Sequence, residues 1–443
     1  MKPSLCAVAA SLYLAEYTLY SNSSATVLLN ASISDYFHLA YGTAAGVGVA
    51  FLAGFCMTLL PAGLLLHRRH PTPTFYVSSA ALAVLGIAAS LSPAFWVLIV
   101  IRFLQGVASA LLAPQLFRIA RQQFYPDHHT AFLGTWGLVV SASALCSPLV
   151  TAVLNDTWGW RAFPYETVLT TVVSVALMMW GARAGTFAPD AVATAGSRGA
   201  ALIVGCGLVQ VGIFLAIGTT TELTAKVVLG AVATALGVVA IGVCRRSRGN
   251  GDRQPIVYRS FLIVFVAGIA TNVFTLVVIY VLQRVQMFSS YRAALVLLPM
   301  AVVAGVLPIS RFGRPGDDAK NTRLVSYGAG CLVLAGFSVA VAAGHVGPLL
   351  VSATVMGGAM GFLWSSLATN VLTNSRWVTF DSAVYHYLRA LGAAIGVSVG
   401  ATAIGGFGSP TGLFLFAAVL ISAVGVIASI AARPAGSRIE VDQ

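Results

Sequence analysis

Two charged side chains stand inside long apolar runs, and their chemistry bounds what the chain can do. Arg102 lies in residues 97–114 (VLIVIRFLQGVASALLAP), with Gln105 one turn later. An arginine near the centre of a membrane helix costs at least about 2.5 kcal/mol, so it belongs in a protein interior with a partner. Gly106 and Ala110, four residues apart, let two helix backbones approach closely. Glu16 lies in the first apolar run, where Tyr13, Tyr17 and Tyr20 recur at helical spacing around it and fall on one side of a helix. Asn22 and Asn30 extend that polar character. A carboxylate facing lipid is costly, so Glu16 lines a cavity or pairs internally. A buried acid beside a buried cation can exchange protons, because desolvation and a neighbouring guanidinium act in opposite directions on a carboxyl.

The elements that must hold these groups are membrane helices. The 443 residues are 58% hydrophobic and 9% charged, with a mean hydropathy of +0.88, a composition that excludes a water-soluble protein. The formal charge of +12 sits in short loops between apolar runs, which argues for topology and against a nucleic-acid surface. The cysteines Cys6, Cys56, Cys146, Cys206, Cys244 and Cys331 lie in or beside apolar segments without metal-ligand spacing. They read as small buried hydrophobes, and no metal or other cofactor is expected. The first apolar run continues past Thr26, too long for a signal peptide, and is taken as the first span.

Runs of about 20 apolar residues predict about fourteen spans and an all-α polytopic membrane protein. Residues 183–198 and 245–258 are linker-like, rich in Gly, Pro and charge, and they bracket two spans, 199–218 and 225–244, with few polar groups. The predicted organisation is a six-helix bundle over residues 1–182, two inserted transmembrane helices with cytoplasmic linkers over 183–258, and a second six-helix bundle over 259–443. With the N-terminus cytoplasmic, inside loops carry Arg68, Arg69, Arg118, Arg121, Arg245, Arg246, Arg311 and further basic residues, while outside loops keep Arg161, Lys226, Arg284 and Arg292. That bias puts both termini inside.

At 1.5 Å per residue, Glu16 lies roughly 17 Å from the inner end of its span and Arg102 roughly 12 Å from the outer end of its own. In a hydrocarbon core about 30 Å thick the depths coincide, and the two are expected to share one interior site. Depth alone leaves equally open that each is satisfied separately by backbone or hydroxyl groups. Further on, Gly134, Gly137, Ser143, Ser147 and Pro148 make the fifth span a small-residue helix with a late bend, and it also carries Trp136. Glu166, one turn inside the sixth span, reads as an interfacial acid, with a second cavity acid as the alternative. Asn272, Tyr280 and Gln283 give the ninth span polar character, and Trp364, Ser365, Ser366 and Asn370 do so for the twelfth. The thirteenth opens with Asp381, read as a helix N-cap at the inner mouth. It continues with His386, whose ordinary titration range is physiological, and Arg389.

Arg102, Gln105, Gly106 and Ala110 resemble the RxxQGxxxA pattern on the fourth helix of major facilitator superfamily transporters. Gly134, Ser143, Ser147, Pro148, Thr151 and Ala152 are similar to the antiporter signature of the fifth helix, with other small residues for most of its glycines. Residues 158–163 (WGWRAF) resemble the GWR element that follows it. Residues 280–299 and the run Arg389, Leu391, Gly392, Gly396 resemble segments of the fourteen-span drug:proton antiporter branch. The resemblance implies two pseudo-symmetric six-helix halves around a cavity that opens to one side at a time, with Arg102 communicating with a first-helix acid during proton exchange. Two departures stand out. The family's first-helix aspartate falls at Ala25 if Asn30 is the asparagine of its motif, and Glu16 is taken as its substitute from position alone. The loop after the second helix, GxLaDRxGR in the family, reads Gly63-Leu64-Leu65-Leu66-His67-Arg68-Arg69-His70, so His67 replaces the aspartate.

These readings lead to an exporter of amphipathic small molecules driven by proton influx, a monomer in the bacterial cytoplasmic (inner) membrane, with the bilayer, protons and a small molecule as partners. Glu16, Arg102 and Glu166 are the expected proton-coupling groups. Tyr13, Tyr17, Tyr20, Asn22, Gln105, Trp136, Asn272, Tyr280, Trp364 and Asn370 are the expected substrate contacts. Gly63, His67, Arg68, Pro148, Asp381, His386 and Arg389 are the expected conformational switch. The alternative is an exporter or flippase of a lipid or endogenous metabolite with altered or absent proton coupling, which the missing aspartate favours. A receptor or scaffold is opposed by the short connections, and an enzyme by the lack of a nucleophile–base set, an H-E-x-x-H motif or a phosphate loop.

Overall fold

The computed structural model describes residues 3–24, 26–66, 70–124, 129–181, 255–308, 310, 312, 318–342, 345–374, 378–407 and 409–432. The expected inserted spans 199–218 and 225–244 lie outside these residues, as do His67, Arg68 and the side chain of Trp136. Every regular element among the described residues is helical. In chain order they are α1 (Pro3–Ser24), α2 (Thr26–Phe37), α3 (Tyr41–Ala44), α4 (Gly46–Leu65), α5 (Pro71–Ser90), α6 (Phe95–Phe124), α7 (His129–Trp158) and α8 (Phe163–Gly181). After them come α9 (Pro255–Tyr280), α10 (Ser290–Val306), α11 (Asp318–Ala342), α12 (Val346–Asn374), α13 (Val378–Gly406) and α14 (Pro410–Ala432).

Among the described residues nine helical stretches are long and apolar enough to cross a membrane, and the protein is a multi-pass membrane protein. Helices are what such a chain must form, because hydrocarbon offers no partner for an unpaired backbone N–H or C=O. The surface follows the same logic in reverse of a soluble protein: Val77, Trp96, Phe337 and Val419 point outward, each about 70% exposed. Prolines inside α4, α6, α7 and α10 are tolerated at Pro61, Pro114, Pro148 and Pro299.

The packing order repeats itself. In the first set α1 packs on α7 and α8, α4 on α6, and α5 on α6 and α8. In the second set α9 packs on α13 and α14, α10 on α12, and α11 on α12 and α14. The two sets meet mainly through α7 with α10 and α4 with α13. Exchanging each helix for its counterpart turns one of these junctions into the other, which is the signature of a pseudo-twofold axis. Gly106 is what brings α6 against α4: a Cβ there would lie 2.7 Å from the Phe55 nitrogen. The close approach expected at Gly106 is therefore a real backbone-to-backbone crossing.

Candidate functional site

Arg102 is buried, 3% exposed, and its donors reach across to α1 and α2. Its Nη2 donates to the Asn22 carbonyl at 2.5 Å and to Thr26 Oγ1 at 2.8 Å. Its Nη1 donates to Asn22 Oδ1 at 3.0 Å and to Gln105 Oε1 at 2.9 Å, while the guanidinium lies 4.9 Å from the Phe51 ring centre. These partners are all uncharged. The expected pairing of Arg102 with Glu16 is not what forms. Asn22 lies six residues beyond Glu16, about 9 Å further along the axis and turned by roughly 240°, so equal depth did not mean equal azimuth.

Glu16 turns instead toward α13. It is 1% exposed, the charge acting on it is Arg389, and it acts in turn on Tyr385. Its Oε2 has no hydrogen-bond partner. One helical turn on, the Arg389 guanidinium lies 3.8 Å from the Tyr20 ring centre and 6.0 Å from that of Trp364. The Arg389 Nη1 has no hydrogen-bond acceptor. The single polar face expected on the first span is thus two faces: Glu16 and Tyr20 look toward α13, whereas Tyr17 donates its hydroxyl to Glu166 of α8.

Glu166 is buried at 7% exposure, which corrects the interfacial reading. Ser21 Oγ donates to its Oε1 at 3.1 Å and Thr151 Oγ1 to its Oε2 at 3.5 Å, with Ser147 Oγ donating to Ser21 at 2.8 Å. The same seam continues as a ladder of hydroxyls. Thr18 bonds Thr170 at 2.8 Å, and Ser11 and Ser174 each donate to the other's carbonyl at 2.7 and 2.8 Å. Buried hydroxyls and acids must be satisfied within the protein, and antiparallel α1 and α8 satisfy each other.

Between the two sets of helices lies a cavity with about 1390 Å³ of empty space. The first set contributes Tyr20, Phe51, Phe55 and Pro148, and the second contributes Asn272, Thr275, Met360, Trp364, His386 and Arg389. Tyr20, Asn272, Trp364, Pro148, His386 and Arg389 were singled out in the sequence; Phe51, Phe55 and Met360 were not, since an apolar residue facing a cavity reads like one facing lipid, nor was Thr275, whose hydroxyl bonds its own helix at the Thr271 carbonyl. His386 presses its ring on Phe117 (5.2 Å) and Tyr385 (5.4 Å), and neither ring nitrogen has a hydrogen-bond partner.

Other expected contacts lie elsewhere. Asn22, Gln105 and Arg102 border a separate space of about 340 Å³ beside Trp160. Asn370 accepts from Asn321 at 3.0 Å and donates to Ser260 at 3.4 Å, within the second set. Tyr280 meets Tyr41 edge-on with ring centres 5.2 Å apart, and Tyr13 packs against the apolar core. Gly63 is buried near the end of α4. Asp381 is fully buried in the first turn of α13, which begins at Val378, and so is not the N-cap at the mouth that was expected.

A last cluster joins the two sets at the ends expected to face outward. Arg284 Nη2 meets Asp35 Oδ1 at 2.7 Å and the Ala31 carbonyl at 3.2 Å. Gln283 donates to the Leu28 carbonyl at 3.2 Å, Asn155 to Ser290 Oγ at 3.0 Å, and the Tyr291 N–H to Asp156 Oδ2 at 2.9 Å. These contacts gather around a π-helical turn, Val281–Val285.

The fold is shared with solved transporters. A POT family transporter in complex with 5-aminolevulinic acid superposes with a TM-score of 0.66 at 17% identity, over 96% of this chain and 94% of that one. The POT family transporter PepTSo gives 0.68 at 13% identity, over 98% of both chains. Among sequences, the uncharacterised MFS-type transporter Rv1250 of Mycobacterium tuberculosis is 25% identical over 399 residues, 86% of this chain and 67% of that protein. The tetracenomycin C resistance and export protein of Streptomyces glaucescens is 28% identical over 335 residues, 71% of this chain and 60% of that protein. The multidrug export protein EmrB of Escherichia coli is 24% identical over 151 residues, 34% of this chain and 29% of that protein. The Major Facilitator Superfamily pattern matches residues 10–397, and the chain belongs to that superfamily: it is a membrane transporter and not an enzyme.

Proposed function

We propose that the chain is a proton-coupled exporter of amphipathic small molecules, of the multidrug efflux type, working by alternating access in the bacterial cytoplasmic membrane with both termini inside. Residues 1–182 and 259–443 are the two moving bundles, residues 183–258 carry an inserted pair of helices, and the protein belongs to the fourteen-span branch and acts as a monomer. The observation that carries this reading is the central cavity, walled by both sets of helices, largely apolar, with a few polar groups and a buried acid beside it. Such a lining suits a drug-sized amphiphile, and two of the relatives bear the names of export proteins. Glu16 takes the proton, with Arg389 as the charge it answers to; Glu166, held by hydroxyls, is a second proton site. Arg102 ties α6 to Asn22 and Thr26.

The test is efflux from membrane vesicles under an imposed pH gradient. Glu16→Gln is expected to slow it by at least about tenfold, the scale on which a proton-transferring group contributes. Equal rates for variant and parent remove Glu16 from the coupling. A second reading, export of a lipid or endogenous metabolite with altered coupling, is favoured by Ala25 at the place of the family's aspartate; it predicts transport that persists after the gradient is collapsed.

A further inference from the structure

Arg389 is the one residue of formal charge among the described residues on the cavity wall, and no carboxylate is among them. Glu16 acts on that guanidinium without lining the cavity. The Arg389 Nη1 has no acceptor, although a charged donor in a low-dielectric interior gains strongly from one. The Tyr20 and Trp364 rings lie 3.8 and 6.0 Å from the guanidinium, and both line the cavity. His386, three residues before Arg389 and so on the same helix face, adds a second polar group with no hydrogen-bond partner.

We propose that the cargo of this cavity is an aromatic amphiphile bearing an anionic group, with Arg389 as the residue that binds the anion. The inference rests on the exporter reading and names its cargo class. The planar fork of an arginine matches a carboxylate or similar oxyanion with two parallel hydrogen bonds. The rings of Tyr20 and Trp364 hold that fork and offer faces for a flat apolar body. A cationic cargo would meet like charge on this wall with no acid there to offset it. An anion leaving an inside-negative compartment also moves with the membrane field.

The test uses the full chain in proteoliposomes and three congeners of one size: an anthracene carboxylate, the neutral anthracene alcohol and the anthracene methylammonium. Binding and transport are measured for each. The carboxylate is expected to bind and move at least about tenfold better than the ammonium, as befits a hydrogen bond to a charged group. Arg389→Gln is expected to abolish that preference while binding of the neutral alcohol persists, which reports a folded protein. Arg389→Lys is expected to keep part of it. Equal binding of the three congeners, or a charge preference that survives Arg389→Gln, overturns the assignment. Arg389-dependent binding of the carboxylate without transport of any congener upholds the assignment and removes the exporter reading instead.

Discussion

Arg102 is held by four hydrogen bonds to uncharged groups, and this decides what replacing it does. Lysine keeps the charge and loses the fork that reaches Asn22, Thr26 and Gln105 together. Arg102→Lys is expected to destabilise the fold by about 1–3 kcal/mol through unmade bonds in a dry interior, measured as a loss of unfolding free energy in detergent. Combined with Glu16→Gln, its effect should add within about 0.5 kcal/mol, whereas Glu16→Gln with Arg389→Lys should depart from additivity by about 0.5–3 kcal/mol. A strong coupling of Glu16 to Arg102 would reverse the pairing described here. Composition sufficed to say that both charges are buried, since lipid tolerates neither, and the 1.5 Å rise sufficed for their depth. Which neighbour each faces depends on how α1 is rotated, and polar residues on more than one side of α1 leave no single sequence stripe to record it. Asp381 and Glu166 were misread for a related reason: burial of a polar group near a helix end is set by what packs over that end.

At the scale of elements, glycine carries the tight crossings. Gly106 on α6 faces the α4 backbone, and a Cβ would also fall 3.0 Å from the Phe51 carbonyl carbon. Backbone cannot give way as a side chain can, so Gly106→Ala is expected to cost about 1–3 kcal/mol, the range for overpacking, visible as a lowered melting temperature of the purified protein. The corner after α7 shows how far a sequence pattern reaches. Trp158 is 74% exposed, as an interfacial ring should be, while Trp160 is 5% exposed and Arg161 does not snorkel outward. Arg161 donates to the Ser90 and Ser92 carbonyls at 3.1 and 2.8 Å and lies 4.4 Å over Tyr36. It thereby caps the C-terminus of α5, where a cation is favoured. Gly159 makes the corner possible with φ of +80°, a backbone open to glycine at little cost. Gly159→Val should therefore cost about 1–3 kcal/mol, in the same melting assay.

At the scale of the whole molecule, the spans were legible as apolar runs but their partners were not. A helix that is apolar on every side has no stripe to say which neighbour it meets, and the pseudo-twofold order emerges only from the packing. Charge bias predicts an orientation, and with it a meaning for the cluster that joins α2 and α7 to the π-helical turn and α10 at the ends expected to face outward. The ion pair Arg284–Asp35 has side chains 31% and 67% exposed, so on its own it contributes about 0.2–1 kcal/mol. The less exposed members, Gln283, Ser290 and Asn155 at 7%, 6% and 9% exposure, carry more, because water does not replace their bonds when broken. Removing Asp35 and Asn155 together, as Asp35→Asn with Asn155→Ala, weakens the outer junction without touching the cavity wall. The outward-open population should rise about tenfold for each 1.4 kcal/mol lost. Ile279 lines the cavity and is 1% exposed, so Ile279→Cys, with the six native cysteines replaced by serine, reports the opening. Its reaction with a membrane-impermeant maleimide added outside should quicken by about that factor. An unchanged rate would mean that α4 with α13 and α7 with α10 hold the outer side closed by apolar packing alone, and that the polar cluster only fixes their register.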